Sequence, residues 1–289
     1  MRLPGPFEIV RVEEFLWSDQ PVDYVLDDVP PEEFAATRTA RDERFVNVAT
    51  GTLKMSFHSL VVRTDHGILL VDSCVGNHKD RPAVPSWHMQ EFPYLDRLQQ
   101  AGLTPADIDY VCCTHLHGDH VGWNTQLENG RWVPTFTNAR YLFAEPEIAY
   151  WEDLNRRKPD NAFSRVWADS LLPVLEAGQV DRVAGDAEIL PGIRLRPAPG
   201  HTPGNVVIEL NDNKQCAVMS GDVVHHPVQI EKPDWCSGFD RDQAQARVSR
   251  RRLLERLADT GTILMGAHFA GPAALEVVSA AEAFYYRDP

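Results

Sequence analysis

The first half of the chain places strand-like apolar runs between short polar turns. Residues 6–17 (PFEIVRVEEFLW) alternate apolar and polar side chains, which is typical of a strand with one buried face. Two further runs, 56–63 (SFHSLVVR) and 68–72 (ILLVD), flank the turn TDHG. The run DYVCC and residues 139–144 (ARYLFA) continue this pattern. These strands are expected to form a sheet.

The second half repeats this organisation after Val183. Strand-like runs occur in EILPGIRLRPAPGH, NVVIEL and CAVMSGD, and ILMGAH is predicted to be the last strand. Helices are predicted in four places, namely EFPYLDRLQQAG, residues 146–177, residues 240–258 and a closing helix over 271–285.

Two segments have unusual polar patterns. Residues 18–44 are acidic and contain prolines, so we interpret them as a surface excursion with a short helix. The helix over 240–258 has an arginine-heavy face, and its RRR run at 250–252 is expected to be solvated.

Each half contains an apolar strand that runs directly into side chains able to bind metals. The first is DYVCCTHLHGDH and the second is CAVMSGD. We therefore predict an α/β fold in which two similar halves pack their sheets face to face, with the helices outside. Without a low-complexity segment or a credible linker, residues 1–289 are treated as a single domain.

Composition narrows the functional classes. The 289 residues carry a net charge of −14, which argues against a nucleic-acid or anionic-membrane binder. The five cysteines are scattered, as expected for buried thiols in a reducing compartment. The N-terminus MRLPGPFEIV has no signal-peptide pattern, and no apolar run has the ~18 residues of a membrane span. A soluble cytoplasmic protein is expected.

The stretch THLHGDHVG holds the strongest chemical signal in the chain. His115, His117, Asp119 and His120 lie within six residues, directly after a predicted strand. Zn²⁺ favours imidazole nitrogen and carboxylate oxygen. His115 and His117 can project to one side of an extended turn. Asp119 and His120 are expected to follow where a helix starts, facing a second ion.

Three more candidate ligands each lie at the end of a predicted strand. They are His201 in PAPGHTPGN, Asp222 in MSGDVV and His268 in LMGAHFAG. A carboxylate can bridge two cations because it has two oxygens. A strand-terminal His or Asp is by itself more often a hydrogen-bonding residue, but together with the first cluster these residues indicate a dinuclear site.

These motifs together resemble the metallo-β-lactamase superfamily. HLHGDH, PGHTPGN, SGD and GAH match its HxHxDH motif and its later His, Asp and His over roughly residues 45–270. The resemblance implies an αββα sandwich with a dinuclear site at one edge between the sheets. It implies one metal bound by His115, His117 and His201, a second bound by Asp119, His120 and His268, and Asp222 bridging them. Asp72 matches the early aspartate of the family, which orients a ligand.

The resemblance also implies a mechanism. Two divalent metal ions lower the pKa of a bridging water, and the resulting hydroxide attacks a carbonyl or phosphoryl centre. No protein nucleophile is needed, which is consistent with the lack of a GxSxG motif. The ligand types favour Zn²⁺ and leave Mn, Fe and Co open.

Differences between this sequence and the motifs of individual branches of the superfamily narrow the range of expected substrates. His117, where the di-iron branch has Glu, disfavours oxygen reduction, and Asp222 disfavours the true β-lactamases, which usually have Cys there. The remainder resembles N-acyl-homoserine-lactone lactonases and methyl parathion hydrolase-like enzymes. The 80 residues between His120 and His201 are nearer to the second group. His225 stands where lactonases often carry a Tyr.

The leading hypothesis is a dinuclear metallohydrolase that opens lactones or cleaves related carboxylic esters. Asp119, Asp222 and His225 are its candidate catalytic residues, with His225 donating to an oxyanion or leaving group, or else bonding only to backbone. The alternatives are a phosphotriester or aryl-ester hydrolase and an inactive metal-binding regulatory protein. A small lactone or ester is the expected partner, and a homodimer formed through residues 18–44 is a further hypothesis.

Aromatic residues and the other histidines give weaker signals. Four tryptophans in predicted loops could form an aromatic wall for an acyl or aryl substrate, or could fill the core: Trp87, Trp123, Trp151 and Trp235. Five histidines lack ligand spacing and are expected to be structural or at the surface, with His78 or His88 candidates to border the pocket: His58, His66, His78, His88 and His226.

Overall fold

A computed structural model describes residues 6–212, 214–281 and 283–289, of which Lys214 and Gln215 are described by their backbone alone. Residues 1–5, part of the segment without a signal-peptide pattern, lie outside the described residues. The chain divides into two compact units, which are residues 6–15 with 57–191, and residues 16–56 with 192–289. Strands β1 (Glu8–Gln20) and β3 (Thr52–Thr64) contribute residues to both units.

The remaining strands are β2 (Val46–Asn47), β4 (Gly67–Val71), β5 (Tyr110–Cys112), β6 (Thr125–Glu128), β7 (Arg131–Pro134), β8 (Arg140–Ala144), β9 (Val180–Val183), β10 (Glu188–Leu190), β11 (Ile193–Pro197), β12 (Val206–Asp212), β13 (Lys214–Met219), β14 (Ile263–Met265), β15 (Ala274–Ala280) and β16 (Ala283–Arg287). The α-helices are α1 (Val22–Val25), α2 (Pro31–Ala36), α3 (Tyr94–Gln100), α4 (Glu145–Arg157), α5 (Ser164–Val166), α6 (Leu172–Glu176), α7 (Val228–Glu231) and α8 (Gln243–Leu257). A π-helical turn, Trp167–Leu171, joins α5 to α6.

The first unit is built on a sheet in the strand order β1-β3-β4-β5-β8-β9. Strands β4, β5, β8 and β9 are parallel neighbours, and Val71 of β4 pairs with Cys112 of β5. Asp72 and the histidine motif therefore leave adjacent strands at the same edge of the sheet. Buried apolar side chains from this sheet, α3 and α4 form the core beneath that edge, including Val111, Tyr141 and Ile148.

The second unit contains the consecutive strands β11 to β16 of a second sheet. β13 and β14 are parallel, with Met219 opposite Met265, and the start of β12 lies beside the end of β13 because Ile208 pairs with Met219. The β11–β12 turn and the carboxyl ends of β13 and β14 consequently meet at one edge. Those three places carry His201, Asp222 and His268.

Most predicted elements are confirmed, but the closing helix and the helix expected at Asp119 and His120 are wrong. The closing helix predicted over 271–285 is replaced by β15 and β16, whose described residues form an antiparallel hairpin. Asp119 and His120 lie in a turn, and the helix that follows is a short 3₁₀ helix, Gly122–Asn124. All five cysteines are buried and free.

The two segments with unusual polar patterns differ in part from expectation. Residues 18–44 contain α1, α2 and a 3₁₀ turn, and they bury Val25 and Leu26 completely. The RRR run is not a uniformly solvated face, because the Arg250 side chain is fully buried. In the described part of the chain, no helix has the length and apolarity that crossing a bilayer requires.

Candidate metal centre

The histidine motif of the first unit is held in place by Asp72. This residue has φ of +54° at the end of β4, so its carboxylate turns toward the neighbouring strand end. Oδ1 accepts a hydrogen bond from Thr114 N at 2.7 Å, and Oδ2 lies 3.0 Å from His120 Nδ1. The sequence-based expectation that Asp72 orients a ligand residue is consistent with this contact.

The candidate ligands of the first unit lie against one another. His115 Nε2 is 3.1 Å from His117 Nδ1, and the ring centroids of His115 and His120 are 4.0 Å apart. Asp119 Oδ2 lies 3.6 Å from His120 Nε2. The structure thus brings all four residues of the motif into one cluster, in which His115 and His120 are buried.

Backbone contacts fix the turn that carries these side chains. Ser73 N donates to His120 O at 2.7 Å, and Gly122 N donates to Cys74 O at 2.8 Å. A Cβ at Gly122 would overlap the Val75 carbonyl group, so only glycine allows this close approach of two backbones. The buried Glu147 accepts from Leu116 N at 3.0 Å and from Trp151 Nε1 at 2.7 Å. Glu147 was missed by sequence reasoning because a charged residue on a helix gives no sign of its partners.

Asp222 is the centre of the second unit's candidate ligands. It lies in a buried 3₁₀ turn, Gly221–Val223, immediately after β13. Three imidazoles approach its carboxylate: His201 Nε2 and His225 Nε2 are 3.3 and 3.2 Å from Oδ2, and His268 Nε2 is 3.2 Å from Oδ1. These four side chains are all nearly inaccessible to solvent.

Two of these imidazoles are oriented by acceptors at their other ring nitrogen. His201 Nδ1 is 3.0 Å from Asp240 Oδ1, and His268 Nδ1 is 3.2 Å from the Ser56 carbonyl oxygen. His201, His225 and Asp240 also offer ligand atoms within 4.8 Å of one another. Burial raises the pKa of Asp240, but the hydrogen bond from His201 and the nearby positive charges outweigh it, so the net shift is downward. Sequence reasoning missed Asp240, which lies 39 residues beyond His201.

The protonation pattern that these contacts require suits a bound cation. An acceptor at Nδ1 places the proton of a neutral imidazole there, which leaves the lone pair on Nε2. In His201 and His268 that lone pair faces a carboxylate oxygen of Asp222, and two acceptors at this distance repel each other. A divalent metal ion between them would remove the repulsion. The residues therefore fit a metal held by imidazole and carboxylate, with its histidines oriented from behind.

His225 differs from the other two histidines. Burial lowers its pKa from the usual value, an effect that the Asp222 carboxylate opposes, so the neutral ring is favoured. Its backbone N–H donates to Gln229 Oε1 at 2.7 Å. Its Nδ1 has no hydrogen-bond partner among the described residues. The role of His225 stays a prediction.

Aromatic side chains border the first unit's cluster. Phe163 stacks on His117 with ring centroids 5.3 Å apart, and Trp151 meets His117 edge-on at 5.6 Å. Trp123 instead packs in the core, stacks on Tyr94 and donates Nε1 to the buried Glu14. Of the tryptophans singled out in the sequence, Trp151 thus contacts a candidate ligand.

The other histidines have varied surroundings. His66 is exposed, whereas His226 is buried and its Nε2 lies 2.9 Å from the Phe45 carbonyl oxygen. His78 and His88 are partly exposed beside Glu91 and Asp80, and His58 is buried in β3.

Comparison with known proteins identifies the family. The family model described as "Metallo-beta-lactamase superfamily" matches residues 58–268. An N-acyl homoserine lactonase of a Bacillus species is 27% identical over 163 residues, which cover 56% of this chain and 56% of the lactonase. The chain thus matches little more than half the length of that relative. A probable metallo-hydrolase of Mycobacterium tuberculosis is 23% identical over 240 residues, covering 73% and 74% of the two chains.

A solved structure supports the same fold over the whole chain. The dizinc quorum-quenching lactonase AidC, in complex with a product, aligns with a TM-score of 0.81 at 20% sequence identity, covering 100% of this chain and 96% of that chain. The predicted fold class, a mixed α/β metallo-β-lactamase fold, is confirmed. The chain belongs to the metallo-β-lactamase superfamily.

Proposed function

We propose that the protein is a metal-dependent hydrolase that opens lactones or cleaves related carboxylic esters. Family membership and the metallo-hydrolase relative support metal-dependent hydrolysis, and the lactonase relative supports this substrate class. The observation that carries the proposal is the group of three buried imidazoles around the Asp222 carboxylate, two of them with lone pairs directed at it. A bound cation would relieve the repulsion between these lone pairs and the carboxylate, which supports the proposal.

The proposed ligand assignment follows the family motifs. His115, His117 and His201 would hold one metal, and Asp119, His120 and His268 would hold a second. Asp222 would be a ligand of both. Imidazole and carboxylate favour zinc, and the neighbour AidC is described as a dizinc enzyme. When bound, the two cations polarise a substrate oxygen and supply hydroxide near neutral pH.

The side chains around the ligands have their own proposed roles. Asp240 and the Ser56 carbonyl hold the Nδ1 protons of His201 and His268, which keeps each Nε2 available to a metal. The Asp72 carboxylate, 3.0 Å from His120 Nδ1, is proposed to orient the His120 ring in the same way. The neutral ring of His225 lies beside Asp222, and its Nδ1 is the ring atom that can exchange a hydrogen bond with a substrate oxygen. The aromatic rings at His117 provide an apolar wall for an acyl or aryl group.

Proton release on a substrate panel tests this function. Purified zinc-loaded protein is given lactones of graded acyl length, aryl esters and phosphotriesters, beside a chelated control. We expect lactone opening that the chelator abolishes and that Asp222→Asn reduces together with metal content. Asp23→Asn, at an exposed position, serves as the matched control. Normal metal content and normal rates in Asp222→Asn would show that the assignment of Asp222 is wrong.

The same panel separates the alternatives. Activity on aryl esters or phosphotriesters alone would favour the alternative, a phosphotriester or aryl-ester hydrolase. That alternative is also consistent with His225 in the position where lactonases often have a tyrosine, and with the aromatic wall. Zinc binding without hydrolysis of any substrate would favour an inactive regulatory protein. The cytoplasmic location and the homodimer through residues 18–44 stay predictions.

A further inference from the structure

One buried arginine connects the segments that carry the second unit's candidate ligands. Arg250 lies on α8, its side chain is inaccessible to solvent, and its neighbours Arg251 and Arg252 are more exposed. A buried guanidinium is costly unless its donors are paired, because it loses its hydration. The positions of its partners therefore indicate what the arginine does.

The first partner lies beside Asp222. Arg250 Nε donates to the Val223 carbonyl oxygen at 2.8 Å, so the guanidinium fixes the peptide immediately after the candidate bridging residue. Val223 ends the 3₁₀ turn in which Asp222 lies, and the backbone of Asp222 departs from helical geometry there. A bond at this point limits movement of the backbone turn that carries Asp222.

The second partner is Asp240, which contacts His201. Arg250 Nη2 is 3.4 Å from Asp240 Oδ2, which also accepts from Ser237 N at 3.0 Å. The other oxygen of the same carboxylate is 3.0 Å from His201 Nδ1. The arginine charge therefore holds the carboxylate in the orientation that keeps the His201 proton on Nδ1.

The third partner leads to His225. Arg250 Nη1 donates to the carbonyl oxygens of Pro233 and Trp235 at 2.8 and 2.7 Å. The Trp235 carbonyl also accepts from Gln229 Nε2 at 2.9 Å, and Gln229 Oε1 in turn accepts from His225 N. The Arg250 side chain is thus linked by hydrogen bonds to groups next to three residues, namely Asp222, His201 and His225.

The start of α8 is also fastened to the turn that carries His201. Asp242 N donates to Gly200 O at 2.9 Å, and Ser249 Oγ donates to the Pro199 carbonyl oxygen. Gly200 has φ of +137°, and a Cβ there would overlap the backbone of Ala246. The helix and the turn are therefore in direct backbone contact, so Arg250 is anchored relative to His201.

We propose that Arg250 is a positioning residue that orients His201 through Asp240 and Asp222 through the Val223 carbonyl, so that the two ligands stay in register for metal binding. The proposal rests on the proposed function, which makes these residues metal ligands. The arginine does not touch substrate or metal in this scheme. Its role is to hold the Asp240 carboxylate and the Val223 carbonyl, which in turn orient His201 and Asp222.

Metal affinity and the ligand field test this role. Arg250→Met keeps an unbranched side chain without donors, Arg250→Lys keeps the charge, and Asp240→Asn changes the intermediate partner. Zinc affinity is measured by competition with a chromogenic chelator, and the Co²⁺-substituted proteins are compared by their visible spectra. Arg251→Met is the matched control, because Arg251 forms an exposed ion pair with Asp234 on the same helix.

We expect Arg250→Met and Asp240→Asn each to weaken zinc binding by ~10–100-fold and to shift the Co²⁺ spectrum, as for other groups that orient metal ligands. Arg250→Lys should recover part of the affinity, and Arg251→Met should stay within about twofold of the wild type. Because Arg250 is proposed to act partly through Asp240, the loss of zinc affinity in the double variant should be smaller than the sum of the two single losses.

Thermal melts of the metal-free proteins separate positioning from folding. Wild-type zinc affinity and spectra in both single variants, with only a lower melting temperature, would overturn the positioning role and leave the proposed hydrolase intact. Additive losses in the double variant would overturn the route through Asp240. A wild-type protein that binds no zinc would overturn the proposed function and this inference together. If Arg250→Met does not fold, Arg250→Lys and Asp240→Asn give the same comparison.

Discussion

Replacing Asp72 with Asn should separate metal binding from folding. Asp72 has a left-handed backbone conformation, which Asn tolerates as well as Asp does, so the substitution leaves the backbone preference unchanged. The carboxylate accepts from Thr114 N and from Thr114 Oγ1, and its Oδ2 lies 3.0 Å from His120 Nδ1. Asn supplies only one acceptor oxygen in place of two.

Both orientations of the new amide have a defined cost. If the amide oxygen keeps the bond from Thr114 N, the NH₂ group faces His120 Nδ1, and His120 must move its proton to Nε2. Zinc binding would then weaken by ~10–100-fold, the usual loss when a group behind a metal ligand is changed. If the amide turns over, Thr114 N loses its acceptor in a buried place, and the free energy of unfolding falls by ~1–3 kcal/mol.

Zinc competition titration and urea unfolding of the metal-free protein measure the two effects separately. Asp28→Asn is the matched control, because Asp28 is exposed and also has a positive φ of 53°. We expect the control to match the wild type in both assays. Wild-type zinc affinity together with wild-type stability in Asp72→Asn would refute the assigned role of the Asp72 carboxylate.

Three other predictions follow from contacts near the site and from composition. Gly122→Ala should lower the free energy of unfolding by about 3 kcal/mol, because its Cβ would overlap the Val75 carbonyl. Gly130 has open space around it and only a positive φ, so Gly130→Ala should lower the free energy of unfolding by about 1–2 kcal/mol. Equal losses for the two variants in urea unfolding would contradict the close approach of Gly122 to Val75. Burial raises the pKa of Glu14 from 4.5 to about 7, so the stability contributed by the protonated carboxyl should be lost as the pH rises through 7. The difference in stability between wild type and Glu14→Gln should therefore shrink between pH 4.5 and 7. A constant difference would show that the carboxyl does not titrate in this range. Size-exclusion chromatography with light scattering should give a dimer that charge reversal at Glu32 and Glu33 weakens, and a monomeric wild type would rule out the dimer hypothesis.

The elements and metal-binding motifs that could be predicted from sequence are those with a local signal. DYVCC and CAVMSG are apolar runs that end in ligand-type side chains, and the structure has β5 and β13 there. The prediction of a helix over 271–285 was wrong because it followed the local preference of the alanines and glutamates, which favour a helix. Leu275 and Val277 are buried while Glu276 and Val278 are less so, which is the alternation of a strand paired with β14.

The residues behind the ligands could not be predicted because their partners are distant in sequence. Asp240 contacts His201 39 residues away, and Glu147 accepts from Leu116 31 residues away. Arg250 belongs to a run of three arginines that is typical of a solvated helix face. Only the docking of α8 against the 233–240 segment makes it a buried partner of Asp240.

The dependence of hydrolysis on two bound metal ions is tested by titrating zinc into the chelator-stripped protein while lactone opening is followed. We expect no measurable opening without metal and a rate that rises to a plateau at two zinc ions per chain. Lactone opening at full rate in the stripped protein, or two bound zinc ions without hydrolysis of any lactone or ester, would refute the proposed function.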